Sequence, residues 1–214
     1  MLPRSPAFIA AAALVAAGCG DGGPGGPNSP PYDPEIPAEF TVQVTNQYFP
    51  LVPGTRYEFE GQTDEGPETT VVEVLEQTRV VNGVEAVVVR DRVYLDGELI
   101  EDTHDWYAQD GDGNVWYLGE DSKEIEGGVV VGSAGSWEWG VDGALPGVIM
   151  WADPLAHLDQ DYRQEYYEGV AEDWARVLGT DRDVEVPFGS FSGCLETEDW
   201  NGLEPGSEER KFYC

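Results

Sequence analysis

Five residues in the middle of the chain, Asp110-Gly111-Asp112-Gly113-Asn114, set three oxygen-bearing side chains at i, i+2 and i+4. That is how a calcium loop opens, with hard carboxylate and amide oxygens gathered round a hard cation. The helix–loop–helix version of such a loop needs Gly at its sixth place and Glu at its twelfth. Val115 and Asp121 stand there instead. The flanks, Trp106-Tyr107-Ala108 and Val115-Trp116-Tyr117-Leu118, are strand formers rather than helix formers. Two readings follow: a calcium site at Asp110, Asp112 and Asn114, or a metal-free turn built from the residues turns demand.

Other candidates for chemistry are thinner. His104, in Glu101-Asp102-Thr103-His104-Asp105, has carboxylates beside it that would orient a general base. A solvated His on an acidic strand end is the alternative. The chain has two histidines and three cysteines, without the Cys/His spacing of a zinc site. Gly189-Ser190-Phe191-Ser192-Gly193 looks like a nucleophile elbow, but Phe191 holds the place that needs Ser. Glycoside hydrolysis needs two carboxylates, and 42 acidic residues supply pairs by chance alone. Trp137, Trp139 and Trp151 lie in an irregular stretch and are candidates to line a groove for sugars or apolar ligands. Core packing is the competing use for them.

These residues need strands to position them. Asp105 to Glu120 reads as a hairpin whose aromatic arms flank the Gly/Asp/Asn turn. Asn82-Gly83 and Asp96-Gly97 are tight-turn signals, so residues 69–120 form a four-stranded meander. Val84 to Leu95 alternates, with Val87, Val89, Val93 and Leu95 set against Arg90 and Arg92. Thr41 to Asn46 and Thr55 to Gly61 read as earlier strands, separated by an apolar corner with Pro50 and Pro53. Later, Ala144 to Trp151 is a loop or short strand, Asp161 to Glu168 is strand-like, and Gly169 to Leu178 favours strand over helix. Thr180 to Asp183 reads as a turn before closing strands over 184–186, 191–198 and 208–214. The expected fold is all-β and mainly antiparallel: a curved meander sheet, a sandwich or a partly open barrel, with few or no helices.

Composition limits the partners. The 42 acidic residues face 11 basic ones, for a net charge of −31. Such a surface repels nucleic acid and anionic headgroups. Acids spread along the whole chain after the export signal suit solubility in a salty medium, or binding of divalent cations or a cationic partner. Residues 1–18 have the parts of an export signal: Arg4, an apolar run from Phe8 to Ala17, and small residues up to Gly18. The apolar run is too short to span a bilayer in the folded protein. Ala16-Ala17-Gly18-Cys19 resembles the lipobox of bacterial lipoproteins, with Ala16 where Leu is more usual. The resemblance implies lipid modification of Cys19 and a membrane-tethered place in the cell envelope. Residues 19–38 are rich in Gly and Pro and read as a tether, leaving residues 39–214 as a single β-rich domain.

Cys194 and Cys214 lie ten positions either side of Glu204, so a hairpin turning at Leu203 to Gly206 would bring them face to face as a disulfide. The lipobox, the strand Asn114-Val115-Trp116-Tyr117-Leu118-Gly119-Glu120 and the ending from Pro187 to Cys214 together resemble exported bacterial lipoproteins with β-rich domains. In those proteins the last strand runs on into a further turn and strand, which implies a C-terminus truncated at Cys214. The resemblance brings no catalytic residues. The expected function is a non-enzymatic, lipid-anchored binding or envelope-structural domain. Its partners would be the membrane, through its anchor, and a cation, a glycan or a small apolar ligand, with no cofactor unless calcium. The alternative is an extracellular hydrolase of glycans or esters using carboxylates or His104. Cys19→Ala should abolish lipidation and release the protein from membranes. Membrane fractionation with intact-mass analysis checks this, and unchanged membrane association in the variant would refute the lipobox reading.

Overall fold

The computed structural model describes residues 31–214. The export signal and Cys19 lie outside the described residues. The fold is all-β, with one short 3-10 turn at Pro154–His157. In chain order the strands are β1 (Phe40–Thr41), β2 (Arg56–Thr63), β3 (Gly66–Val81), β4 (Val84–Leu95), β5 (Glu98–Asp110), β6 (Val115–Glu126) and β7 (Val129–Gly132). They continue with β8 (Trp137–Glu138), β9 (Leu145–Met150), β10 (Asp161–Arg163), β11 (Glu165–Tyr166), β12 (Asp173–Val186), β13 (Gly189–Asn201) and β14 (Glu209–Tyr213). A curled antiparallel half-barrel runs β11-β9-β6-β5-β4-β3-β2, with β1 on β5 and both β7 and β8 on β6. A second sheet runs β10-β12-β13-β14.

The meander over residues 69–120 forms because its turns enforce it. Asn82 and Gly83 have φ values of 46° and 86°, and Asp96 and Gly97 have 51° and 81°. Two successive left-handed residues give the turn whose twist matches a hairpin. Alternation then sorts the side chains. Val72, Val74, Val87, Val89, Tyr107 and Tyr117 face inward and share a core with Ala171, Val177 and Leu195, which lie on or next to the small sheet. Ala86, Val88, Trp106, Ala108, Trp116 and Leu118 form an outer cluster against which Phe40 packs.

Several expectations change. Of the stretch 41–46 only Thr41 lies in a strand, as the second residue of β1, and Val44 makes an isolated bridge to Leu51. The apolar corner after it plugs the core with Phe49 and Leu51. Thr180 to Asp183 is not a turn but the middle of β12, and Val184 still pairs with Phe191. The side chains there are polar because the β12–β13 ribbon projects into solvent, and the chain reverses at Pro187 and Phe188. Tyr32, in the expected tether, is seated on the domain. Its hydroxyl donates to Pro146 O at 3.0 Å and its ring meets Tyr166 edge-on at 5.5 Å.

One break in the alternation matters most. In β6, Trp106 pairs with Gly119 while Tyr107 pairs with Tyr117, so Leu118 is an extra residue in a β-bulge. Without it, Glu120 would fall on the opposite face from Tyr117. With it, Tyr117 and Glu120 both point inward. Gly119 has φ 138°, and a Cβ there would sit 2.5 Å from Trp137 O and 3.0 Å from Trp106 Cε3. Gly119→Ala should therefore cost roughly 2–4 kcal/mol of stability, measured by urea denaturation. A loss under about 0.5 kcal/mol, the size of an ordinary surface change, would contradict the assigned bulge.

Candidate functional site

The inner face of the half-barrel is built in rungs. Val72, Asp91, Thr103 and Ser122 stand side by side across β3 to β6. The next rung is Val74, Val89, Asp105 and Glu120, extended by Trp137 on β8. Beyond it come Val87, Tyr107 and Tyr117. On the other side, Thr70, Val93, Glu101 and Glu124 make the outermost rung. The face thus grades from aromatic to acidic along the strands.

Its centre is a set of buried acids. Asp105 is 0% exposed, Glu120 2% and Asp91 4%. Tyr117 Oη lies 2.5 Å from Asp105 Oδ1 and 3.0 Å from Glu120 Oε2. Trp137 Nε1 donates to Glu165 Oε2 at 2.6 Å, and its ring meets Tyr117 edge-on at 5.4 Å. Tyr107 stacks on Tyr117 with centroids 4.8 Å apart. Across from these, Lys211 Nζ lies 3.2 Å from Asp199 Oδ2 and 3.1 Å from Glu209 Oε1.

Burial raises the carboxyl pKa values of Asp105, Glu120 and Glu165 well above the usual range, and the acids push one another further up. Burial, with Glu101 and Glu68 nearby, pushes Asp91 up to about 8. Asp173 is pushed up to about 7 by burial, opposed by Lys211. Among the described residues no protein hydrogen bond reaches Thr70 Oγ1, Asp91 Oδ1, Asp105 Oδ2 or Glu120 Oε1. The basic side chains of the half-barrel all sit on the other face. Arg56 pairs with Glu58, Arg79 with Glu138, Arg90 with Asp102, Arg92 with Glu73 and Lys123 with Asp121.

The residues singled out from the sequence are dispersed. Asp110 Oδ1 accepts from the backbone N–H groups of Asp112 and Asn114, and Oδ2 from Asn114 Nδ2 and Trp116 Nε1, each at 2.9 Å. Asn114 Oδ1 accepts from Ala152 N at 2.9 Å, while Asp112 is exposed. These residues scaffold the turn, and calcium here would compete with four donors already on Asp110. Among the described residues no group of three His, Cys, Asp or Glu is placed to hold a metal ion.

Trp137 is 4% exposed in the inner core, so it lines no open groove. Trp139 is half-buried beside Phe40, and Trp151 stacks on His157 at 3.8 Å. His104 lies on the outer face of β5, with burial lowering its pKa and Asp102 raising it. The face of Asp105 is the opposite one. Cys194 and Cys214 are bonded, with Cα atoms 4.4 Å apart, in a hairpin that pairs Leu195 with Tyr213.

The buried acids themselves went unmarked in the sequence. Asp91 stands in phase with Val87, Val89 and Val93, so a carboxyl at a core position was visible there. Glu120 was not, because the bulge at Leu118–Gly119 reverses the phase. No known protein family, curated protein or solved structure matches the chain.

The raised pKa values fix a pH dependence. A carboxyl that holds its proton more tightly when folded contributes stability in full below its unfolded pKa, near 4, and loses it as pH rises through the folded value. Stability should therefore fall steadily from about pH 5 to about pH 8, by about 1.4 kcal/mol per pH unit for each proton retained. Asp102, whose pKa Arg90 lowers against its own burial, acts only at lower pH, whereas His104 and His157, whose pKa values burial lowers, add stability as pH rises towards about 6.5 and offset part of the fall below that pH. Asp91→Asn should flatten the slope by up to one proton. Urea titrations at pH 5, 6, 7 and 8 measure it, and a flat or rising profile would contradict the protonated cluster.

Proposed function

We propose that the chain is an exported, lipid-tethered binding domain whose ligand meets the inner face of the half-barrel at its acidic end, where Glu68, Glu101 and Glu124 are half-buried, and that it is not an enzyme. The observation that carries this reading is Asp91. It is a buried carboxyl at a core position whose Oδ1 has no hydrogen bond among the described residues, one rung from the Asp105–Glu120 pair. An unpartnered buried acid costs stability. A core built for stability alone would place a valine there, as the same strand does at positions 87, 89 and 93. The lipobox-like Ala16-Ala17-Gly18-Cys19 supports the tether. The placement of His104 on the far face from the buried acids disfavours a hydrolase that pairs them.

The test compares wild type with the double variant Asp105→Asn/Glu120→Gln at pH 8. Without ligand, the variant should be about 1–4 kcal/mol more stable, because no buried acid is left to ionise at those positions. Thermal shifts with n-butylamine, cellobiose and n-hexanol at matched ionic strength then probe cationic, sugar and apolar ligands. At least one probe should raise the melting temperature of wild type and leave the variant unmoved. Equal responses of both proteins to all three would refute a binding role, and cleavage of cellobiose would establish the hydrolase instead.

A further inference from the structure

The small sheet pairs its acids with arginines near the surface and with a lysine inside. Arg176 meets Asp161 and Glu198, Arg182 meets Glu196, and Arg210 meets both Glu196 and Glu198, all on partly exposed side chains. Lys211 is the buried base, 8% exposed, and Asp199 beside it is 3% exposed. The strand register brings them together. Thr197 pairs with Lys211 and Asp199 with Glu209, so Lys211 and Asp199 are diagonal neighbours on the inward side of the β13–β14 hairpin.

The contacts are close and unevenly satisfied. Lys211 Nζ lies 3.2 Å from Asp199 Oδ2 and 3.1 Å from Glu209 Oε1. Thr197 Oγ1 donates to Asp199 Oδ1. Among the described residues Asp199 Oδ2 accepts no hydrogen bond, so the ammonium group touches it outside hydrogen-bond angles. Asp173, on β12, has an Oδ1 that is likewise without one. Burial raises its pKa to about 7, with Lys211 opposing the rise and Asp199 adding to it, so it lies within the field of both. An arginine guanidinium keeps its proton in any such setting, whereas a lysine can give up a proton and become a nucleophilic amine. A buried ion pair also carries a desolvation cost that a neutral amide does not.

We propose that Lys211 and Asp199 condense after folding into an isopeptide bond that crosslinks β14 to β13. A bond forms between Nζ and Asp199 Cγ, and the bond from Cγ to Oδ2 breaks. Ammonium plus carboxylate give amide plus water. Nζ keeps one hydrogen, and its other two leave on Oδ2, so atoms and charge balance without an oxidant or co-reactant. Glu209 and Asp173 carry those protons from Nζ to the departing oxygen. Thr197 Oγ1 stays on Oδ1 and stabilises the negative charge that gathers there as Cγ becomes tetrahedral. Groups held in contact react with effective molarities that reach about 10⁵–10⁸ M, and this reaction has to occur only once per chain. The product holds the last hairpin together even when Cys194 and Cys214 are reduced.

Peptide mapping of the wild-type chain tests this. The protein is denatured, reduced at Cys194–Cys214, alkylated and digested with trypsin, which cuts after Arg182 and Arg210, and after Lys211 only if that side chain is free. The expected product is one branched peptide, Asp183 to Arg210 joined to Lys211 to Cys214. It should be lighter than the two segments together by the mass of one water, with fragment ions placing the branch between Asp199 and Lys211. Lys211→Arg keeps the ion pair and should give only unbranched peptides. Unbranched peptides from the wild type would overturn the proposal, and so would a branch carried by Glu209.

Discussion

A phenol carries one hydrogen, yet Tyr117 Oη is within hydrogen-bond range of both Asp105 and Glu120. It can donate to one carboxylate. The other contact is favourable only if that carboxyl is protonated and donates back. At least one extra proton therefore belongs to the folded inner face, and the rest of the arrangement follows from keeping it there. Asp105 and Glu120 are Cα partners on neighbouring strands, where two like charges would repel. Both are out of water. Sharing a hydroxyl while holding a proton is what makes that pairing tolerable.

The same constraint accounts for how charge is sorted across the half-barrel. Every base of residues 56–150 lies on the outer face beside an acid, in water or near it. Such exposed pairs contribute little stability each, but the arrangement keeps the bases away from the inner acids. An Arg among those acids would ionise them and close the cluster as a set of salt bridges. Lys211, on the facing small sheet, is engaged by Asp199 and Glu209 near the C-terminal hairpin. The inner face of the half-barrel is left without a base, and burial there favours carboxyls that keep their protons.

The small sheet makes that inner face an interior. Ala171, Val177 and Leu195 pack on the same core as Val87 and Tyr107. The hairpin of β13 and β14, joined by the Cys194–Cys214 bond, carries Lys211 and Tyr213 into place. Closing a loop of this length by a disulfide restricts the unfolded chain by about 3 kcal/mol. That offsets part of the cost of packing against buried acids.

The sequence by itself determined the local structure. Asn82-Gly83 and Asp96-Gly97 dictated tight turns, because few other residues take two left-handed conformations in succession. Period-two alternation dictated which face of β4 was inward, and with it the position of Asp91. The symmetry of Cys194 and Cys214 about Glu204 placed them opposite one another, since register in a hairpin follows from its turn. Asp110 and Asn114 carried their turn chemistry openly, although the donors that surround Asp110 became visible only in the folded chain. Tertiary structure alone decided what the inner acids do. Glu120 faces inward through a one-residue bulge at Gly119, where the near approach of Trp137 and Trp106 leaves no space for a side chain. Glu165 joins through Trp137, 28 positions away in the chain. Side-chain phase carries along a single strand only until a bulge resets it, and desolvation depends on which distant segment covers a face. No local pattern of residues encodes either.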